Sequence, residues 1–257
     1  MNKQIPQFQS VNISEFSSGI IIQIEDTPVV FQRPITKESV FQNVTMMTFQ
    51  QLIMKRARAA LRAKSLKAFI NPVSIEITIT SLSSPQSMLL ERILKAIFDG
   101  LNKQVIQDDF LVSHAQIWLK NCNQRYQKSI VEVEVRDTIT GDKIYFRVNS
   151  PSIEKKNPFV YKIGGAINYN QQFTKQLTMI EQSILAQNFT SKRQYEICHM
   201  LFCVSDLSKD VDNMFLTYID FIRSNGYLDI SNNIGFGMYK RVVEKGKEKV
   251  IINLVAK

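Results

Sequence analysis

Asp210 and Asp212 stand two residues apart in "KDVDNMFLTYIDFIRSNGYL", immediately ahead of an apolar run with helical spacing. Two carboxylates at that spacing can face one hard cation if the backbone ahead of the helix is extended or turned. Inside a helix, positions i and i+2 diverge. A divalent ion held by carboxylates polarises a phosphoryl oxygen and acidifies the attacking water, which phosphodiester hydrolysis needs at neutral pH. The simpler role is helix capping, worth about 1 kcal/mol, and Asp212 before "NMFLTYI" fits an N-cap. A second set of candidates lies in "LERILKAIFDGLNKQVIQDDFLVSHAQI", where Glu91 opens a helix, Lys95 follows one turn later, and Asp108 and Asp109 close a loop.

Other chemistries have little to build on. His114 and His199 are the two histidines, so triads based on histidine are disfavoured. Cys198 and Cys203 lie in "YEICHMLFCVS", an alternating run that reads as a strand with thiols in the core rather than as a zinc site. Three cysteines without a secretory leader point to a reducing, intracellular compartment, cytoplasm or nucleus. No stretch reaches the ~20 apolar residues that span a bilayer, so no membrane partner is expected.

The chain carries 257 residues and a net charge of +9, which favours a polyanionic partner. The charge is densest in "MKRARAALRAKSLK", where Lys55, Arg56, Arg58, Arg62, Lys64 and Lys67 occur with no intervening acid. At helical spacing Arg58 and Arg62 share a face, with Lys55 one turn before, a pattern suited to a phosphate backbone. A solvated helix face is the alternative.

The elements that must position these residues form an α+β order that runs twice. The first pass is a strand at 19–26, a helix at 44–64, a strand at 71–81, a helix at 86–103 and strands at 110–121 and 129–135. The second is a strand at 143–151, a helix at 169–187, a strand at 194–205, a helix at 212–226 and strands at 235–243 and 249–255. "FQQL" at 49–52 matches "NQQF" at 170–173, and "LLERILKAIFDGL" at 89–101 matches "DVDNMFLTYIDFI" at 210–222, both at an offset of 121. Pro28 matches Pro151 at 123 and "KSIVEVEV" matches "EKVIINLV" at 120. The expected organisation is two tandem units, 1–136 and 137–257, with "RDTITGDK" as a short linker.

An acidic pair followed by Asn, an apolar helix with a lysine one turn in, and a loop with "DD" before a strand resembles the RusA-type Holliday-junction resolvases. The resemblance implies two degenerate RusA-like α+β units forming an intrachain pseudo-dimer, binding branched DNA and cutting it with Mg²⁺. It also implies roles in DNA recombination and repair. It assigns Asp210, Asp212 and Asn213 to the D-x-D-N motif in the second copy, whose lysine position is Leu216 and whose third acid falls near Ser231. In the first copy it assigns Lys95 and Asp109, while the D-x-D-N positions read Leu89, Glu91 and Arg92. The expectation is a composite Mg²⁺ site: Asp210 and Asp212 from one half joined by Glu91, Lys95 and Asp109 from the other, with Asp210, Asp212 and Asp109 on the metal. The alternatives are an inactive DNA-binding relative and a protein-interaction module. Dimerisation of the chain would restore two sites.

Overall fold

A computed structural model describes residues 19–30, 44–81, 90–121, 129–150, 171–187, 195–224 and 234–255. The alternating run at the start folds as β1 (Gly19–Ile24) and the basic amphipathic segment as α1 (Val44–Ala63). β2 (Val73–Ser81), α2 (Leu90–Leu101) and a short 3-10 turn (Asp109–Leu111) lead into β3 (Val112–Asn121), β4 (Ser129–Asp137) and β5 (Lys143–Ser150). Then follow α3 (Gln171–Ala186), β6 (Ile197–Val204), α4 (Val211–Ser224), β7 (Gly235–Val242) and β8 (Lys249–Val255).

All eight strands join one mixed sheet in the order β1-β8-β6-β7-β3-β2-β4-β5. The two halves of the chain therefore share a sheet and are not separate bodies joined by a linker. "RDTITGDK" is instead the hairpin between β4 and β5. The Asp137 carboxylate accepts from the Ile139 and Thr140 amides at 2.8 and 2.9 Å, and Gly141 supplies the left-handed residue at φ 78°.

Successive strands are not always neighbours. The turn-rich segments after β3 and β7 suggest hairpins, but β3 and β4 flank β2 from opposite sides, as β7 and β8 flank β6. A helical crossover, β2–α2–β3 or β6–α4–β7, makes each first pair parallel, and the returning strand adds antiparallel on the open side. Read from either edge, the sheet has the same order of pairing senses about a central antiparallel β3–β7 pair. Ile77 pairs with Val133, and 121 residues further on Cys198 pairs with Leu254. Gln116 pairs with Gly237, its own equivalent at that offset. The edge strands cross over: β1 pairs with β8, and β5 pairs with β4. Thr27 and Val29 follow β1 into the second half, where Gln176 Nε2 donates to the Thr27 carbonyl at 2.9 Å and the Val29 amide to Tyr218 Oη at 3.0 Å.

One face of every strand is apolar and joins the helices in a single core. Cys198 and Cys203 are buried free thiols of β6, and Cys122 lies outside the described residues. His114 and His199 sit on the opposite face of the sheet; His199 and Tyr239 have ring centroids 6.1 Å apart, and the His114 ring stacks on Tyr239 at 4.7 Å. Burial holds both imidazoles down at about 4, so neither is poised as a base near neutrality. Gly100 marks a close approach of α1 and α2. A Cβ there would meet the Gln50 carbonyl oxygen and Ile53 Cγ2 at 2.9 Å each. Gly100→Ala is expected to destabilise by about 2 kcal/mol through overpacking, read as a lower urea midpoint at unchanged m-value.

Candidate metal centre

α2 and α4 begin 121 residues apart and pack against each other near the centre of the sheet. Helix α4 starts at Val211, and the Met214 amide donates to the Asp210 carbonyl at 3.1 Å. The N-cap is thus Asp210, and Asp212 already lies in the first turn, not at the cap as its following sequence suggests. That two-residue shift separates the pair, because helical backbone turns i and i+2 apart.

Asp210 faces the loop from the first half of the chain. One carboxylate oxygen each from Asp108, Asp109 and Asp210 lie within 4.8 Å of one another, and all three side chains are partly exposed. Asp108 caps the 3-10 turn in extended backbone, accepting from the Phe110 amide at 3.5 Å, and Asp109 opens the turn. Asn213 Nδ2 donates to Asp210 Oδ2 at 3.0 Å, which fixes that carboxylate. The three-carboxylate group therefore takes Asp108 where the sequence pattern suggests Asp212.

Asp212 is fully buried, with Oδ2 at 2.7 Å from Lys95 Nζ of α2 and Oδ1 without a hydrogen-bond partner. Lys95 also pairs with Asp99 at 3.0 Å, one turn along its own helix. Burial works to lower the Lys95 pKa, but Asp212 and Asp99 outweigh it and hold the ammonium charged. Glu91, one turn before Lys95, is fully buried at the start of α2 and is not among the three clustered carboxylates. Leu89 and Ser231 lie outside the described residues.

The cluster is electrostatically strained without a cation. Burial, a hydrogen bond with Asp108 and the charges of Asp210 and Asp212 push Asp109 up to about 7. Burial and Asp212 likewise raise Asp210. A group raised in the folded state favours folding below its unfolded value and loses that contribution as pH rises through its folded value. For Asp109 that window runs from 3.8 to about 7. A cation must displace this proton, so Mn²⁺ affinity measured by calorimetry is expected to rise with pH up to about 7 and then level off.

Lys240 is a residue to which the sequence reading gives no role, yet it is 4% exposed and lies beside the cluster. The alternation of β7 carries the signal: Lys240 shares a face with the buried Phe236 and Met238. Burial lowers it to about 8, against the charges of Asp210, Asp109, Asp212 and Asp206.

Lys55, Arg56, Arg58, Arg62, Lys64 and Lys67 are all exposed, and among the described residues none lies within 4.0 Å of a carboxylate. Arg58 donates to Gln104, and Lys64 Nζ donates to the Lys143 carbonyl at 2.8 Å. The tract runs into the acidic loop. Two residues after Lys67, the Phe69 amide donates to the Val105 carbonyl at 2.7 Å, and Phe69 accepts from the Gln107 amide at 2.9 Å.

The fold and site define an α+β protein with one mixed eight-stranded sheet, a three-carboxylate cluster suited to a hard divalent cation, and a neighbouring cationic helix. No family model matches the chain, and neither a curated protein nor a solved structure matches it significantly. Among the described residues no helix is long and apolar enough to cross a membrane.

Proposed function

We propose that the chain is a fused pseudo-dimer of two RusA-like units that binds branched DNA and hydrolyses a phosphodiester at one composite Mg²⁺ site. The observation that carries this reading is the meeting of Asp108 and Asp109 with Asp210, which come from opposite halves of the chain. The repeat offset, the mirrored strand order and the crossed edge strands support a duplicated unit whose copies face each other.

Asp109 and Asp210 would hold the cation, with Asp108 offering a third carboxylate oxygen. Bound there, Mg²⁺ supplies Lewis-acid polarisation of the phosphate and a more acidic water. Lys95 is held by Asp212 and Asp99 through two contacts, which leaves its third N–H for a phosphate or leaving oxygen. The buried Asp212 orients that ammonium and offers Oδ1 as a further oxygen beside the cluster. Glu91 supports the start of α2 next to Lys95. The equivalent of Lys95 at the 121-residue offset is Leu216, so one site per chain, and nicking rather than paired cleavage, is the expected outcome unless two chains associate.

The basic tract supports binding independently of cleavage, so a DNA-binding relative without activity is the second reading. Both are tested with labelled four-way junctions and linear duplex, with and without MgCl₂. Nicking of the junction supports the first reading. Salt-dependent binding without cleavage under Mg²⁺ or Mn²⁺ supports the second, and salt-insensitive or absent binding overturns both. In the same assay Lys55→Gln/Arg58→Gln/Arg62→Gln is expected to flatten the slope of log affinity against log salt by about 2 to 3. Its unfolding free energy should stay within about 0.5 kcal/mol of the parent, because these side chains are exposed.

A further inference from the structure

Lys240 Nζ lies among three backbone carbonyls. It donates to Phe110, to Leu207 at 3.2 Å and to Lys209 at 3.1 Å. Phe110 directly follows Asp109, and Lys209 directly precedes Asp210. The ammonium thus grips the two loops one residue away from a clustered carboxylate on each side, and it comes from a third element, β7.

We infer that Lys240 is a positioning residue for the cation site, tying the loop of Asp108 and Asp109 to the loop of Asp210. This rests on the reading of the acidic cluster as a cation site. The chemistry suits lysine. Three carbonyls converge on one point, and an ammonium offers three rotatable donors there, whereas the planar fork of arginine spreads its donors outward. A buried charge is costly unless its hydrogen bonds are satisfied, and here every N–H has an acceptor. Lys95 works differently: it pairs with the carboxylates of Asp99 and Asp212. Without Lys240 the carbonyls of Phe110, Leu207 and Lys209 lose their common donor, and like charges on Asp108, Asp109 and Asp210 push the loops apart.

The test is Mn²⁺ titration calorimetry on the full chain at pH 7, comparing the parent with Lys240→Met, Lys240→Gln, Asp210→Asn and Ile252→Val. The last is a core change in β8 that lowers stability without touching either loop. Lys240→Met is expected to weaken Mn²⁺ at least tenfold, and Ile252→Val to leave it unchanged. If Lys240→Met does not fold, Lys240→Gln carries the same expectation. Parent-like Mn²⁺ affinity in a folded Lys240 variant, with binding lost in Asp210→Asn, overturns the positioning role alone. Absence of Mn²⁺ binding by the parent overturns the cation reading and this inference with it.

Discussion

If the proposed nuclease reading holds, Asp210→Asn is expected to reduce Mg²⁺-dependent nicking by about a thousandfold or more, while leaving the protein folded and slightly more stable without metal. The activity loss follows from the donor set. Asp210 brings the second half's carboxylate to the cluster, and an amide is a weaker ligand for a hard cation than a carboxylate. The stability gain follows from the same geometry with opposite sign. Burial and Asp212 already disfavour the ionised Asp210, so removing its charge relieves repulsion on Asp109 as well. Asparagine is also a good N-cap, so the start of α4 survives. Nicking rates with junction substrate and urea unfolding in EDTA read the two effects. Retained nicking, or loss of nicking explained by loss of fold, contradicts the expectation. Opposite signs for activity and stability are a mark of a functional cluster, since a purely structural acid loses both together.

Lys95→Met destabilises the protein by about 3 kcal/mol, the largest stability effect expected of a single change here. Asp212 is 0% exposed and pairs with Lys95, itself 21% exposed. Removing the ammonium strands a carboxylate in the contact between α2 and α4, and methionine fills the space without replacing the charge. The pair is separated by 117 residues and joins the two halves, so the loss falls on the seam between them. The double variant Lys95→Met/Asp212→Leu is expected to recover more than half of that loss, because an apolar pair avoids desolvating either charge. Neither variant should nick DNA, since the ammonium is absent from both. Urea unfolding of the single and double variants gives the coupling directly. A Lys95→Met protein within about 0.5 kcal/mol of the parent would mean that the bridge adds nothing.

Element types were readable along most of the chain because alternation and helical spacing are local signals. Both helices at the seam, all the core strands and the strand placement of His114 and Cys198 follow from that spacing. The pairing of strands was not readable in the same way. Polar turns after β3 and β7 fit hairpins equally well, and only the parallel crossovers through α2 and α4 decide against them. The crossed edge strands are a long-range choice, and Gly19–Ile24 offers the same apolar face to either half. At the site, Asp210 stood out through the acidic pair ahead of its helix, and Asp109 was assigned by the resemblance to the RusA-type resolvases. The division between Asp210 and Asp212 turned on a two-residue shift in the N-cap, below what capping preference resolves. Lys240 was legible in the β7 alternation, but a lysine is so commonly exposed that composition masked the register.

The most direct measurement is a crystal of the full chain soaked in MnCl₂, read by anomalous scattering. The account predicts one strong peak bounded by Asp108, Asp109 and Asp210, at about 2.1 to 2.2 Å from carboxylate oxygens of both halves. Manganese bound to acids of one half only, or no peak near Asp109 and Asp210 at millimolar metal, contradicts it.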